Sequence, residues 1–323
     1  MKKTFILLIV TQVIVVVVLG FEIYKKQKVL GTVSISPTTR NSIIFSGTAG
    51  LKYFIEPKPN SPRIDIPPEL LTDGKNHINN DSLNEEREYK IEKNHSTFRI
   101  VAIGDSFTYG AYVPTQENWT EVLERRLLET PMCPGVNFEV INLGMSSYDL
   151  QYSLERFRLR GQKYNPDLVL WFMIQNDFEM VNEMLLDTQE KIRLQVGENG
   201  GLRSNIKDYD PYELWQTGMA QIISHYGKDY LLEKQKGFLQ EFNKIYADPL
   251  VVLSFPFLAP EYQQTVNEVF QNNANYRYHE VPTIYEDSSL MISGDGHPSV
   301  LGHKLIGEDL YDYLRKNSVI FCD

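Results

Sequence analysis

The chain has 323 residues, 42% apolar and 12% aromatic, with a formal net charge of −10. That aromatic content supplies ample surface for a core and excludes global disorder; the acidic balance, without a basic stripe, excludes a nucleic-acid partner. Two cysteines are too few to build a disulfide scaffold, and the length fits two average domains or one large α/β domain with extensions.

Charge is unevenly spread. Residues 1–28 carry five lysines against one glutamate, a net of +4 that leaves −14 on the remainder. Residues 5–21 are apolar apart from Thr11 and Gln12, at the lower limit of about 17 residues for a bilayer-spanning helix. This predicts a signal anchor over 1–28, with membrane contact through residues 5–23 and the larger part of the chain on the extracytoplasmic side. Secretion after cleavage near Val18 and Gly20 is the alternative, and lysines at both ends leave the positive-inside rule nearly balanced.

Residues 29–97 are rich in Pro, Asn, Ser and Thr and read as a linker followed by an irregular extension, with one short strand over 51–55. From residue 98 the texture changes. Apolar runs at 99–104 (RIVAIG), 138–143 (FEVINL), 167–174 (DLVLWFMI) and 249–255 (PLVVLSF) predict buried strands. Helical spacing appears over 119–128, 149–160 and 301–314, and about 70 mostly helical residues (178–248) read as an insertion or lid. Strands alternating with helices mean a parallel sheet covered on both faces.

In such sheets active groups gather at the carboxyl ends of the strands. The first strand ends in Gly104-Asp105-Ser106, the second leads into Asn142-Leu143-Gly144-Met145-Ser146-Ser147, and the third ends in Gln175-Asn176-Asp177. Gly294-Asp295-Gly296-His297-Pro298-Ser299 precedes the last helix. A hydroxyl, an amide, a carboxylate and an imidazole are the parts acyl transfer needs: nucleophile, oxyanion donor, orienter and base.

These blocks, in this order over residues 98–317, resemble the SGNH (GDSL-type) hydrolase superfamily. The resemblance implies a flavodoxin-like, three-layer α/β/α fold over 98–323 and hydrolysis of acetyl or acyl esters on small molecules, glycans or lipids, with no cofactor and no metal. Carried over by residue, it implies Ser106 as nucleophile, His297 as general base and Asp295 as its orienter. The oxyanion donors would be the backbone N–H of Ser106, the side-chain amide of Asn176 and the backbone N–H of Ser147. Family members carry glycine at the last position, so Gly144 is the fallback, and a positive φ would be harder for serine. Gln175 stands where glycine is usual, and Gly296 alone separates Asp295 from His297 where two residues are common.

Each residue also has a structural reading. Ser106 could cap a helix, Asn176 and Asp295-Gly296 could simply make turns, and Asp105 reads as turn support. His303 and Trp119 read as core. An O-acyltransferase with the same triad, a lipase-like hydrolase and a non-catalytic envelope binding module are the competing functions. Met180, Met184, Leu185 and Trp215 would line an acyl trough or form the insertion's own core. Cys133 and Cys322 follow helices that the resemblance puts on one sheet face, ending at one edge, which suggests a disulfide in an exported protein.

Overall fold

The computed structural model of the chain describes residues 43–44, 50–63, 65–66, 76–198 and 211–320. Five strands, β1 (Thr97–Gly104), β2 (Asn137–Asn142), β3 (Leu168–Phe172), β4 (Leu250–Ser254) and β5 (Tyr276–Glu280), form one sheet in the order β2-β1-β3-β4-β5. Every pairing is parallel, with Ala102 opposite Asn142 and Gly104 opposite Phe172. This is the flavodoxin-like order, in which the chain reverses direction between β1 and β3. The helices follow as α1 (Ser106–Tyr109), α2 (Trp119–Glu129), α3 (Leu150–Arg156), α4 (Gln175–Glu179), α5 (Asn182–Glu198), α6 (Pro211–Tyr226), α7 (Lys228–Ile245), α8 (Pro260–Phe270) and α9 (Val300–Lys316).

Side chains alternate across a strand, so the apolar runs feed two cores. Ile100, Ala102, Leu170, Phe172, Val251 and Leu253 pack with Trp119, Leu123 and Leu127 of α2 and with Ile306, Leu310 and Leu314 of α9. Their neighbours Val101, Ile103, Val169, Trp171 and Val252 pack with Leu154 of α3, Phe242 of α7 and Val266 of α8. The spacing of four in α2 and α9 is the apolar stripe that the helical pattern predicts. The four expected strands and three expected helices form, with α3 stopping at Arg156 and passing into a wider turn over Phe157–Gly161. The fifth strand went unread because YRYHE is polar, as suits an edge strand that is only partly covered.

The described residues between 182 and 245 form the helices α5, α6 and α7. Met180, Leu185, Met219, Ile222 and Leu231 bury against one another, with Met184 and Trp215 packed on them. Of the two readings of these apolar residues, the structure shows a local core. Cys133 is disulfide-bonded, and its expected partner Cys322 lies outside the described residues.

The described residues before 97 form only two-residue strands and turns, and they are packed onto the domain rather than free. Pairing starts at Ile55–Glu56, later than expected, because Lys52 and Tyr53 form a turn with Tyr53 at φ 58°. Phe54 packs on Tyr148 and Tyr152, with ring centroids 5.7 and 5.5 Å away. The buried Glu56 carboxylate accepts from Arg156 at 2.7 Å and from Arg160 at 2.8 Å, while Arg156 also donates to the carbonyl of Leu143 at 2.9 Å. Among the described residues no helix is long and apolar enough to cross a membrane, and the expected anchor at 1–28 lies outside them.

Removing one member of a buried ion pair leaves its partner charged and unpaired, which costs about 3–5 kcal/mol. Glu56→Ala should lose stability of that order in urea unfolding. A loss near zero would mean that the segment is peripheral to the domain.

Candidate active site

The site begins at the end of β1. Gly104 has φ +150°, and a Cβ there would lie 2.5 Å from Thr108 Oγ1 and 2.6 Å from the Phe172 carbonyl oxygen, so only glycine fits. The chain then turns into α1, where Asp105 is the N-cap and its Oδ1 accepts from the Phe107 N–H at 2.9 Å. Asp105 is thus turn support, as read from the sequence. Ser106 follows it, half-buried, with its hydroxyl 3.2 Å from Asp105 Oδ2.

His297 comes from the other end of the chain and reaches the same hydroxyl. Its Nε2 is 2.8 Å from Ser106 Oγ, and its Nδ1 is hydrogen-bonded to Asp295 Oδ1. The shortened Asp-Gly-His spacing works because Gly296 takes φ +91°, which lets Asp295 Oδ1 accept from both the ring and the backbone N–H of His297. Burial raises the Asp295 carboxyl, but the hydrogen bond and charge of His297 outweigh it and hold the group below its ordinary value. With Nδ1–H given to Asp295, Nε2 presents its lone pair to the serine. Ser299 caps α9 directly after this loop, its Oγ accepting from the Gly302 N–H.

The expected oxyanion donors lie at the same edge. The Ser106 and Ser147 N–H groups and the Asn176 side chain make no hydrogen bond among the described residues. Ser147 is exposed and adopts φ 65°, the left-handed conformation that glycine would take more easily. Asn182 Nδ2 donates to its carbonyl at 2.7 Å and so holds the peptide. Gly144 is not available as a substitute, because its N–H is already donated to Asn142 Oδ1 at 2.8 Å. Gln175, in place of the usual glycine, is tied at the start of α4 by Glu179 and by the Ala259 N–H. Asn176 follows it, exposed, on the first turn of α4.

The remaining candidates are structural. His303 is fully buried, its Nδ1 accepts from the Trp119 N–H at 3.3 Å, and burial pushes its pKa down to about 3, so it stays neutral. Trp119 is core, donating to the Phe107 carbonyl at 3.0 Å. Among the described residues no cluster of three or more metal-ligating side chains occurs.

Sequence reasoning missed Phe107 and Tyr112, whose rings lie 5.1 and 5.3 Å from the His297 imidazole. It also missed Asp149, which caps α3 through the Tyr152 N–H at 2.9 Å and accepts from the Asn182 backbone as well. An Asp before an apolar helical stretch was a visible capping signal; nothing local signalled Tyr112.

An α/β/α sheet with a serine, an imidazole and a carboxylate joined at its carboxyl edge defines a hydrolase of the acyl-transfer type. The chain belongs to the GDSL-like lipase/acylhydrolase family, whose model matches residues 100–310, and is accordingly a hydrolase of ester bonds. Solved structures similar to it include the psychrotrophic esterase EstA from Pseudoalteromonas sp., 15% identical over 68% of this chain and 98% of that one, with a TM-score of 0.42. The lipase/acylhydrolase from Enterococcus faecalis is 13% identical over 68% and 96% of the two chains, TM-score 0.40. The acetyl xylan esterase Est2A from Butyrivibrio proteoclasticus is 11% identical over 71% and 66%, TM-score 0.39. No curated protein matches the chain.

Burial pushes the Asp149 carboxyl up to about 6 from 3.8. Its folded-state pKa therefore exceeds its unfolded one, and the stability it contributes is full below about pH 4 and is lost as pH rises through about 6. Asp149→Asn mimics the protonated acid, so its stability relative to the parent should improve by up to about 3 kcal/mol between pH 4 and pH 7. Urea unfolding at the two pH values checks this, and a constant difference would refute it.

Proposed function

We propose that the protein is an exported, membrane-anchored serine esterase that removes acetyl or short acyl groups, with Ser106 as nucleophile, His297 as general base and Asp295 as its orienter. The observation that carries this reading is the 2.8 Å contact between His297 Nε2 and Ser106 Oγ, with Nδ1 bound to Asp295. Ser106 Oγ attacks the ester carbonyl while its proton passes to Nε2, forming a tetrahedral oxyanion. The N–H groups of Ser106 and Ser147 and the Asn176 amide receive that charge; one such donor is typically worth about 10²–10³ in turnover. The imidazolium then protonates the departing alcohol oxygen, leaving an acyl-enzyme. Water attacks the acyl carbon, gives its proton to Nε2, and the acid leaves as Ser106 regains its hydrogen. Asp295 remains an anion throughout, compensating the imidazolium.

Two further features support the choice of substrate and place. Phe257 and Tyr285 follow β4 and β5 at the same sheet edge and are 53% and 44% exposed. Their rings are 5.2 Å apart, and both contact Phe255, which packs on Phe107 beside the site. Exposed aromatic faces next to the exposed Glu286 and Asp287 suit a sugar ring, apolar on its face and hydroxylated at its edge. For location, the support is the apolar run over residues 5–21 behind a basic start.

Ser106→Ala and His297→Ala should each lower hydrolysis of p-nitrophenyl acetate by at least about 10³-fold; rates equal to the parent would end the mechanism. Phe257→Ala and Tyr285→Ala should raise KM for acetylated oligosaccharides several-fold while leaving p-nitrophenyl acetate unaffected. Equal changes on both substrates would remove the sugar platform.

A further inference from the structure

The catalytic imidazole touches a residue that the family blocks do not include. Tyr112 lies edge-on to His297, with ring centroids 5.3 Å apart and an interplanar angle of 80°. Phe107 makes the other aromatic contact of that imidazole, at 5.1 Å. Tyr112 also sits at φ 67°, in the left-handed region, which costs a non-glycine residue of order 1–3 kcal/mol and persists only where the surroundings enforce it.

The enforcement comes from the segment before the family-matched region. Arg63 is buried and spans both sides of Tyr112, donating to the carbonyls of Gly110 at 2.8 Å and Val113 at 2.9 Å. Its guanidinium lies 4.8 Å over the Tyr109 ring, and its Nε is 3.1 Å from Asp65 Oδ1. The other carboxylate oxygen of Asp65 accepts from the Tyr112 N–H at 3.2 Å. One arginine and one aspartate thus bind the carbonyls on both sides of Tyr112 and its own N–H. A buried guanidinium that answers two carbonyls and a carboxylate has few alternative positions, because every lost contact would leave a desolvated polar group.

We propose that Tyr112 is a positioning residue for His297, and that Arg63 and Asp65 form the strap that holds it, so that the segment preceding the hydrolase domain completes the catalytic geometry. The inference rests on the Ser106–His297 reading above. Its physical content is rotational. Imidazole transfers a proton to and from Ser106 only while Nε2 points at Oγ, and a displacement of about 1 Å can cost 10²-fold in rate. The Tyr112 ring restricts that swing without touching the ester.

The test uses the full-length protein, with p-nitrophenyl acetate turnover and the rate of Ser106 labelling by a fluorophosphonate probe. Tyr112→Ala should lower kcat and the labelling rate together, by about 10- to 100-fold, with KM little changed. Tyr112→Phe, which keeps the ring, should recover most of both; Tyr112→Leu, which keeps bulk without the ring, should not, and it serves if the alanine variant does not fold. Asp65→Ala should slow labelling in the same way, and Asp65→Asn, which retains an acceptor for the Tyr112 N–H, should restore it. A raised KM with labelling at the parent rate would make Tyr112 a substrate contact and overturn the proposal. So would a phenylalanine variant as slow as alanine, or parent-rate labelling in Asp65→Ala. Should Ser106→Ala keep its activity, the catalytic reading itself falls; should Ser106→Ala be inactive and Tyr112→Ala label normally, only the positioning role falls.

Discussion

At Gly104 the backbone leaving β1 passes so close to Thr108 and to the Phe172 carbonyl that there is no volume for a side chain. That steric constraint lets the chain leave the strand and enter α1 within one residue, with Asp105 closing the turn through the Phe107 N–H. Ser106 consequently stands at the start of α1 with its backbone N–H unspent and free to donate. Because β1 pairs with β3 at this level, Gly104 opposite Phe172, the turn also sets Asn176 and α4 at the neighbouring strand end. Ser106 and Asn176 are thus positioned by one sheet register rather than by separate loops.

Around that edge the protein holds several carboxyl groups away from water. Burial and the nearby Asp105 push the carboxyl of Asp177, the residue beside Asn176, well above the usual range. Asp295 sits partly in solvent against the imidazole, and the hydrogen bond and charge of His297 hold its carboxyl low. Environment alone shifts the two carboxyls in opposite directions, since the side chains are identical.

The strands and main helices were legible because their signals are local: apolar runs, a spacing of four, a glycine at a strand end. The blocks around Ser106, Asn176 and His297 stand out for the same reason, as short motifs at strand ends and before the last helix. β5 was not, since YRYHE lacks an apolar run and owes its conformation to pairing with β4. The packed state of the described residues between 50 and 96 was equally hidden. Pro, Asn and Ser suggest a linker by composition, yet Phe54, Glu56 and Arg63 are anchored by residues about 50 to 100 positions away. Contacts of that separation leave no periodic trace.

The amino-acid sequence alone determined the α/β class, the order of the family's blocks, and the identity of Ser106, Asn176, Asp295 and His297 as the groups to watch. Covalent neighbours and side-chain chemistry suffice for those. Tertiary structure decided what chain separation conceals: that His297 meets Ser106 across 191 positions, that Gly144 has no N–H to offer, that Ser147 takes the strained conformation, and that an arginine and an aspartate before the domain grip Tyr112 against the imidazole. Each of these depends on which buried polar groups find partners in three dimensions, a requirement that only the folded chain can satisfy.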